Sequence, residues 1–219
     1  MNKKQTFTLF LLLMAFFLTG CSAGFMTADT LPWVGDEAVL FKDDFTAQSG
    51  GWTTHEDTLS LSTYEKGGLR LWLDVPNYQF WSVPGLNFRD VLIHTQALKL
   101  DGPDDNMFGL ICRYQDEANY YALVIGSDGY YGIIKKFAGE ETLIDQAHMD
   151  FSEEIQPGGL MNELQAICTG DQLSLYVNGQ RLLEVRDDAL AYGDVGVIVG
   201  NFSEPGVDVL FDNFIVISR

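Results

Sequence analysis

Apolar and polar positions alternate at period two through segment after segment of the chain. Leu69-Arg70-Leu71-Trp72-Leu73-Asp74-Val75 places four aliphatic residues on one side and Arg70, Trp72 and Asp74 on the other. That is the pattern of a half-buried strand. Leu173–Val177 and Val195–Val199 repeat it, and longer β-rich runs cover Val91–Leu100, Met107–Tyr114, Tyr120–Ile125, Tyr130–Phe137 and Val207–Ile217. Turn chemistry separates the runs. Asp128-Gly129 and Asn178-Gly179 read as two-residue hairpin loops in which both residues take positive φ. Gly67-Gly68, Gly102-Pro103 and Gly170-Asp171 mark further breaks. No stretch carries a helical stripe. About 12 to 14 short strands without helices predict one large all-β antiparallel sandwich or barrel.

The first residues follow another pattern. Lys3 and Lys4 precede an apolar run from Phe7 to Leu18, about 12 residues against the ~20 that a membrane span needs. Leu18-Thr19-Gly20-Cys21 closes it. The order of positive residues, apolar run, small residues and cysteine resembles the lipobox of bacterial lipoproteins. The resemblance implies a signal peptide over residues 1–20, cleaved before Cys21, whose thiol then carries the lipid, a modification that palmitate labelling reports. Each buried methylene adds about 0.8 kcal/mol, so several acyl chains anchor durably. Residues 21–37 contain Pro32 and Trp33 but no periodicity and read as a tether, leaving residues 38–219 as the folded domain. The expected location is the cell membrane or cell surface, outside the cytoplasm, with the lipid as the membrane contact.

Charge narrows the list of partners. Against 13 Lys and Arg stand 31 Asp and Glu, a net charge of −18. A phosphate backbone requires clustered cations, so nucleic acid is excluded as a partner. Acidic polysaccharides are disfavoured for the same reason, and neutral glycans are the better match.

A set of short motifs occurs in order along the domain. Asp43-Asp44-Phe45 and Gly51-Trp52 open it, and Arg113-Tyr114-Gln115-Asp116 leads into Asn119-Tyr120-Tyr121-Ala122-Leu123 and Asp128-Gly129-Tyr130. Leu175-Tyr176-Val177-Asn178-Gly179-Gln180, Gly193-Asp194-Val195-Gly196 and Phe211-Asp212-Asn213-Phe214 follow. Together they resemble the concanavalin A-like jelly-roll superfamily, in particular the bacterial 3-keto-disaccharide hydrolase-type and laminin-G-like domains. The resemblance implies two curved antiparallel sheets, one of them concave. It implies no single activity, because enzymes, lectins and structural modules share the fold.

The related family 16 glycoside hydrolases carry Glu-x-Asp-x-x-Glu on one strand, and no acids here have that spacing. Glu140-Glu141 and Glu153-Glu154 are adjacent pairs, expected as solvated surface. His55, His94 and His148 share no ligand or triad spacing and are expected to be structural or exposed. Cys112 and Cys168 lie in apolar runs. An oxidising compartment favours a bridge between them, worth about 4 kcal/mol, over two buried thiols. The resemblance further implies a structural calcium where the first and last strands meet, on Asp44 (or Asp43) and Asp212. For ligand binding, Arg70, Trp72 and Asp74 combine an aromatic face with polar groups in one row, and Tyr78 and Trp81 extend it if the chain folds back beside that strand. The alternative for Trp72 is packing beneath a loop or beneath Trp33. The leading expectation is non-catalytic binding of a glycan. A glycoside-processing hydrolase of the 3-keto-disaccharide type is the first alternative, and a structural or protein-interaction module the second.

Overall fold

The computed structural model describes residues 38–219. The signal segment, Cys21 and the tether lie outside the described residues. Sixteen strands, numbered in chain order, form two antiparallel sheets. The nine-stranded sheet runs β14 (Gln180–Arg186), β13 (Gln172–Val177), β12 (Asn162–Thr169), β6 (Val91–Asp101), β16 (Val207–Ser218), β4 (Gly68–Leu73), β3 (Ser60–Glu65), β2 (His55–Glu56). β1 (Val39–Asp43) also pairs with β16. The seven-stranded sheet runs β10 (Glu140–Leu143), β9 (Tyr130–Phe137), β8 (Asn119–Ile125), β7 (Asn106–Asp116), β15 (Asp194–Asn201), β5 (Tyr78–Ser82), with β11 (Asp150–Phe151) on β9.

The main core lies between the sheets. Leu69, Leu71 and Leu73 of β4 are buried there as their alternation predicts, beside Val209 and Phe211 of β16 and facing β15, whose Val197 and Val199 belong to the same core. Cys112 of β7 and Cys168 of β12 are joined by a disulfide that ties one sheet to the other through this core. Next to it the chain bulges at Arg113, which takes φ 54°. Its guanidinium is almost wholly buried and donates to the carbonyls of Leu190 (2.8 Å) and Gly170 (2.7 Å). Burial lowers the Arg113 pKa, and the two carbonyls supply the partners that a buried cation requires.

Two local readings are corrected. Asn178 and Gly179 both take positive φ in a two-residue loop, but at Asp128-Gly129 only the glycine does. There the loop spans four residues, closed by the Gly129 amide on the Gly126 carbonyl at 3.1 Å. The second correction concerns β4, which ends at Leu73 rather than running on to Val75. The Asp74 amide bonds the Leu59 carbonyl, and Pro76, which has no amide hydrogen, stops the ladder.

Candidate functional site

The seven-stranded sheet has a second apolar face, turned away from the main core. Met107, Ile111, Tyr120, Ala122, Val124, Ile134 and Ile198 form a separate cluster there, with Trp81, Tyr114, Leu143 and Met149 packed around it. Period two explains the split. Tyr121, Leu123 and Ile125 of β8 enter the main core, so Tyr120, Ala122 and Val124 must point the other way.

This face is concave. β5 and β10 are the opposite edges of the sheet's main path, which in a flat sheet would put them about 24 Å apart. Yet Gln79 of β5 donates from Nε2 to both carboxylate oxygens of Glu141 on β10, at 3.0 Å each. The curl leaves a cleft of ≈ 630 Å³ between the two edges. A glycine keeps its floor low, because a Cβ at Gly200 would lie 2.7 Å from Met107 Cε.

Trp81 lines the cleft, and two tyrosine rings back it, Tyr114 half-buried and Tyr120 fully buried. Trp81 lies 5.6 Å from Tyr120 and 6.2 Å from Tyr114, and the two tyrosines stack at 6.0 Å. A polar chain runs beside them. The Tyr120 hydroxyl donates to Gln79 Oε1 at 2.8 Å, Gln79 holds Glu141, and Lys136 Nζ stands 3.9 Å from the same carboxylate. Lys136 also lies 5.9 Å above the Tyr120 ring. Burial, and then the charge of Glu141, raise the Tyr120 pKa, and burial raises that of Tyr114. Both phenols therefore stay protonated and able to donate at neutral pH. Asn77, Glu117 and Asn201 add polar groups to the rim, and Tyr78 and Phe202 add apolar ones. A wall that mixes apolar side chains and convergent polar groups in about equal measure suits a small polar, neutral ligand.

The five residues expected to form one row are divided between the two sheets. Tyr78 and Trp81 line the cleft, because β5 pairs with β15 and not beside β4. Arg70 and Trp72 face outward from the nine-stranded sheet, and the exposed Asp74 lies beyond the end of β4. Arg70 is fully engaged. Its Nε and Nη2 donate to the two carboxylate oxygens of Asp208 at 2.9 and 2.7 Å, and its Nη1 donates to Glu65 at 2.8 Å. These carboxylates push the Arg70 pKa further up. Trp72 is half-buried between its strand neighbours Leu61 and Asp208.

Burial, and then the charge of Asp44, raise the Asp212 pKa. Asp44 Oδ1 accepts from the Thr46 amide and hydroxyl, and Asp212 Oδ1 from the Asn213 amide. Among the described residues no three His, Cys, Asp or Glu side chains gather into a metal-binding group. The pair could give calcium two carboxylates, and the rest of its six to eight oxygens would have to be carbonyls and water.

Sequence reasoning missed Gln79, Tyr114, Tyr120, Lys136 and Glu141. It had assigned Glu141 to solvated surface. A faint signal existed in the doublets Tyr120-Tyr121, Lys135-Lys136 and Glu140-Glu141, which must each send one member to either face. Tyr121 and Lys135 both reach Asp187, Lys136 and Glu141 reach the cleft, and Tyr120 lies buried beneath it against Gln79 and Lys136.

No protein-family model matches the sequence, and no curated protein does. Solved structures do. The carbohydrate-binding module CBM66 from Bacillus subtilis is 17% identical with a TM-score of 0.58, over 75% of this chain and 93% of that one. A Bacillus subtilis protein of unknown function with a galectin-like fold is 14% identical with a TM-score of 0.62, over 83% and 97%. A Bacteroides ovatus GH16 protein of mixed linkage glucan, solved with its product, is 12% identical with a TM-score of 0.55, over 82% and 100%. Likeness at this level of identity is likeness of fold, and the acid spacing of the GH16 enzymes is absent from this chain. The chain has the concanavalin A/galectin-like β-sandwich fold, a jelly roll of two antiparallel sheets.

Proposed function

We propose that the protein binds a neutral glycan in the concave cleft without turning it over. The observation that carries this is the Trp81 ring on the cleft wall, backed by Tyr114 and the buried Tyr120, beside hydrogen-bonding Gln79, Lys136 and Glu141. Sugars present flat C–H faces to aromatic rings and hydroxyls to amide and charged groups, and the cleft offers both. The likeness of fold to a carbohydrate-binding module supports the same class of ligand. Acid catalysis at a glycosidic bond needs a carboxyl that carries a proton. Both Glu141 oxygens are instead already taken up by Gln79, with Lys136 3.9 Å away. A glycan array probed with the purified protein tests the reading. Binding to neutral glycans that is lost in Trp81→Ala supports it, and an array without signal removes it.

A hydrolase is the second reading, because Glu117 and Glu141 line one cleft. Release of reducing sugar from an array hit, abolished in Glu117→Gln or Glu141→Gln, would establish it in place of the first.

The location we propose is a membrane surface outside the cytoplasm, through lipid on Cys21. Replacement Cys21→Ser should abolish incorporation of labelled palmitate. Persistent labelling would assign the lipid elsewhere.

A further inference from the structure

Among the described residues β5 is the edge of its sheet, and no further strand of that sheet pairs with it there. On its open side is a second cleft, of ≈ 580 Å³, walled by Phe80 and Trp81 of β5 and by His55, Asp57 and Ser60 of the β2–β3 hairpin. Tyr78, Gln79, Trp81 and Glu117 line both clefts. The two are therefore halves of one trough that passes over β5 at Trp81. Phe80 and Trp81 are neighbours with opposite facings. Trp81 belongs to the concave side, and Phe80 packs toward the main core and lies 5.9 Å from the His55 ring.

The histidine is held in place. Its Nε2 meets Asp57 Oδ2 at 3.0 Å, and Asp57 Oδ1 accepts the amides of Leu59 (2.8 Å) and Ser60 (2.7 Å). His55 Nδ1 takes no hydrogen bond among the described residues, and the side chain is 45% exposed. It is thus a fixed ring with one nitrogen available at the wall of a cleft. Lys136, the lysine along the trough, has a carboxylate partner in Glu141, His55 is paired with Asp57, and Glu117 adds a further carboxylate. An anionic sugar would find no unmatched cation there. Each half alone has the volume of a small-molecule pocket, whereas the two together exceed one.

We propose that the trough is one extended site for an unbranched, uncharged oligosaccharide that crosses β5, with one end in the concave cleft and the other against His55 and Phe80. This rests on the glycan reading above and adds to it the length of the ligand and a second group of contacts. His55, which sequence spacing left without a role, becomes a binding residue, with Asp57 as the residue that positions it.

The test uses the purified full chain and two size ladders, xylo-oligosaccharides and mixed-linkage gluco-oligosaccharides of one to six units, titrated calorimetrically. The wild type should gain affinity stepwise with length beyond the disaccharide in at least one ladder. In His55→Ala and His55→Gln, each checked for an unchanged melting temperature, that gain should fall about tenfold, the factor for ~1.4 kcal/mol. Affinity that levels off at the disaccharide, or a gain with length that both His55 variants keep, overturns the extended site and leaves the concave-cleft reading in place. A wild type that binds no member of either ladder also overturns the extended site, whereas the concave-cleft reading falls only with an array without signal. Because His55 lies at an exposed edge, outside the core, its variants should fold.

Discussion

Two tryptophans lie on outward faces of opposite sheets, and they differ in what surrounds them. Trp72 stands beside Arg70, whose guanidinium is consumed by Asp208 and Glu65. Neither of the two clefts on the Trp81 side has Arg70, Trp72 or Asp74 among its walls. Trp81 stands on a sheet curled enough for its edges to touch, so its aromatic and polar neighbours converge on a shared volume. Both positions carry an aromatic ring near charged groups. Only curvature turns such a neighbourhood into a site, because a flat or convex face presents its groups side by side and leaves them open to water.

The largest way to break the comparison is to separate the sheets. Replacing Cys112 and Cys168 by Ser should cost about 4 kcal/mol of unfolding free energy in a denaturant titration. Both faces should then lose structure together, because the bridge joins the two sheets. An unchanged denaturation midpoint would show that the core alone holds them.

Arg70→Ala attacks the face without a cleft. It strips Asp208, whose side chain is 8% exposed, of its bidentate partner. The loss should be about 2 kcal/mol of stability, the scale of hydrogen bonds to charged groups, with glycan affinity as in the wild type. A fall in affinity at full stability would return the ligand to this face.

The third prediction sets the tryptophans against each other. Trp81→Ala should weaken glycan binding about tenfold or more, ~1.4 kcal/mol per factor of ten, and Trp72→Ala should leave it unchanged. The reverse order would exchange the roles of the two faces.

The smallest effect concerns the rim of the second cleft. The amide of Leu59, then His55 and the amide of Ser60, lower the Asp57 pKa to about 2. A lowered carboxyl contributes stability that is complete above its unfolded value near 4 and lost as pH falls through about 2. Carbon-detected NMR of the Asp57 carboxyl should show its midpoint near 2, and a midpoint near 4 would mean that the turn does not hold the carboxylate.

Much of the fold was legible beforehand. The all-β class, the alternation that buries Leu69, Leu71 and Leu73, and the Asn178-Gly179 turn follow from chemistry within a few residues. The end of β4 at Leu73 was less so, although Pro76 announced a stop. The candidate site was legible only in pieces. Tyr78 and Trp81 stood out as aromatic residues, but nothing local distinguished the Trp81 neighbourhood from that of Trp72.

The period of a strand determines that neighbours face opposite ways, so the sequence alone determined that Tyr120 and Tyr121, or Lys135 and Lys136, would serve different faces. Only the tertiary structure decided which face would be the cleft. It did so by pairing β5 with β15, far along the chain, and by curling the sheet until Gln79 met Glu141. The physical reason is range. Facing is set by bonds between adjacent residues, whereas register and curvature are set by contacts between strands tens of residues apart, and only those bring Trp81, Tyr120, Lys136 and Glu141 to one place.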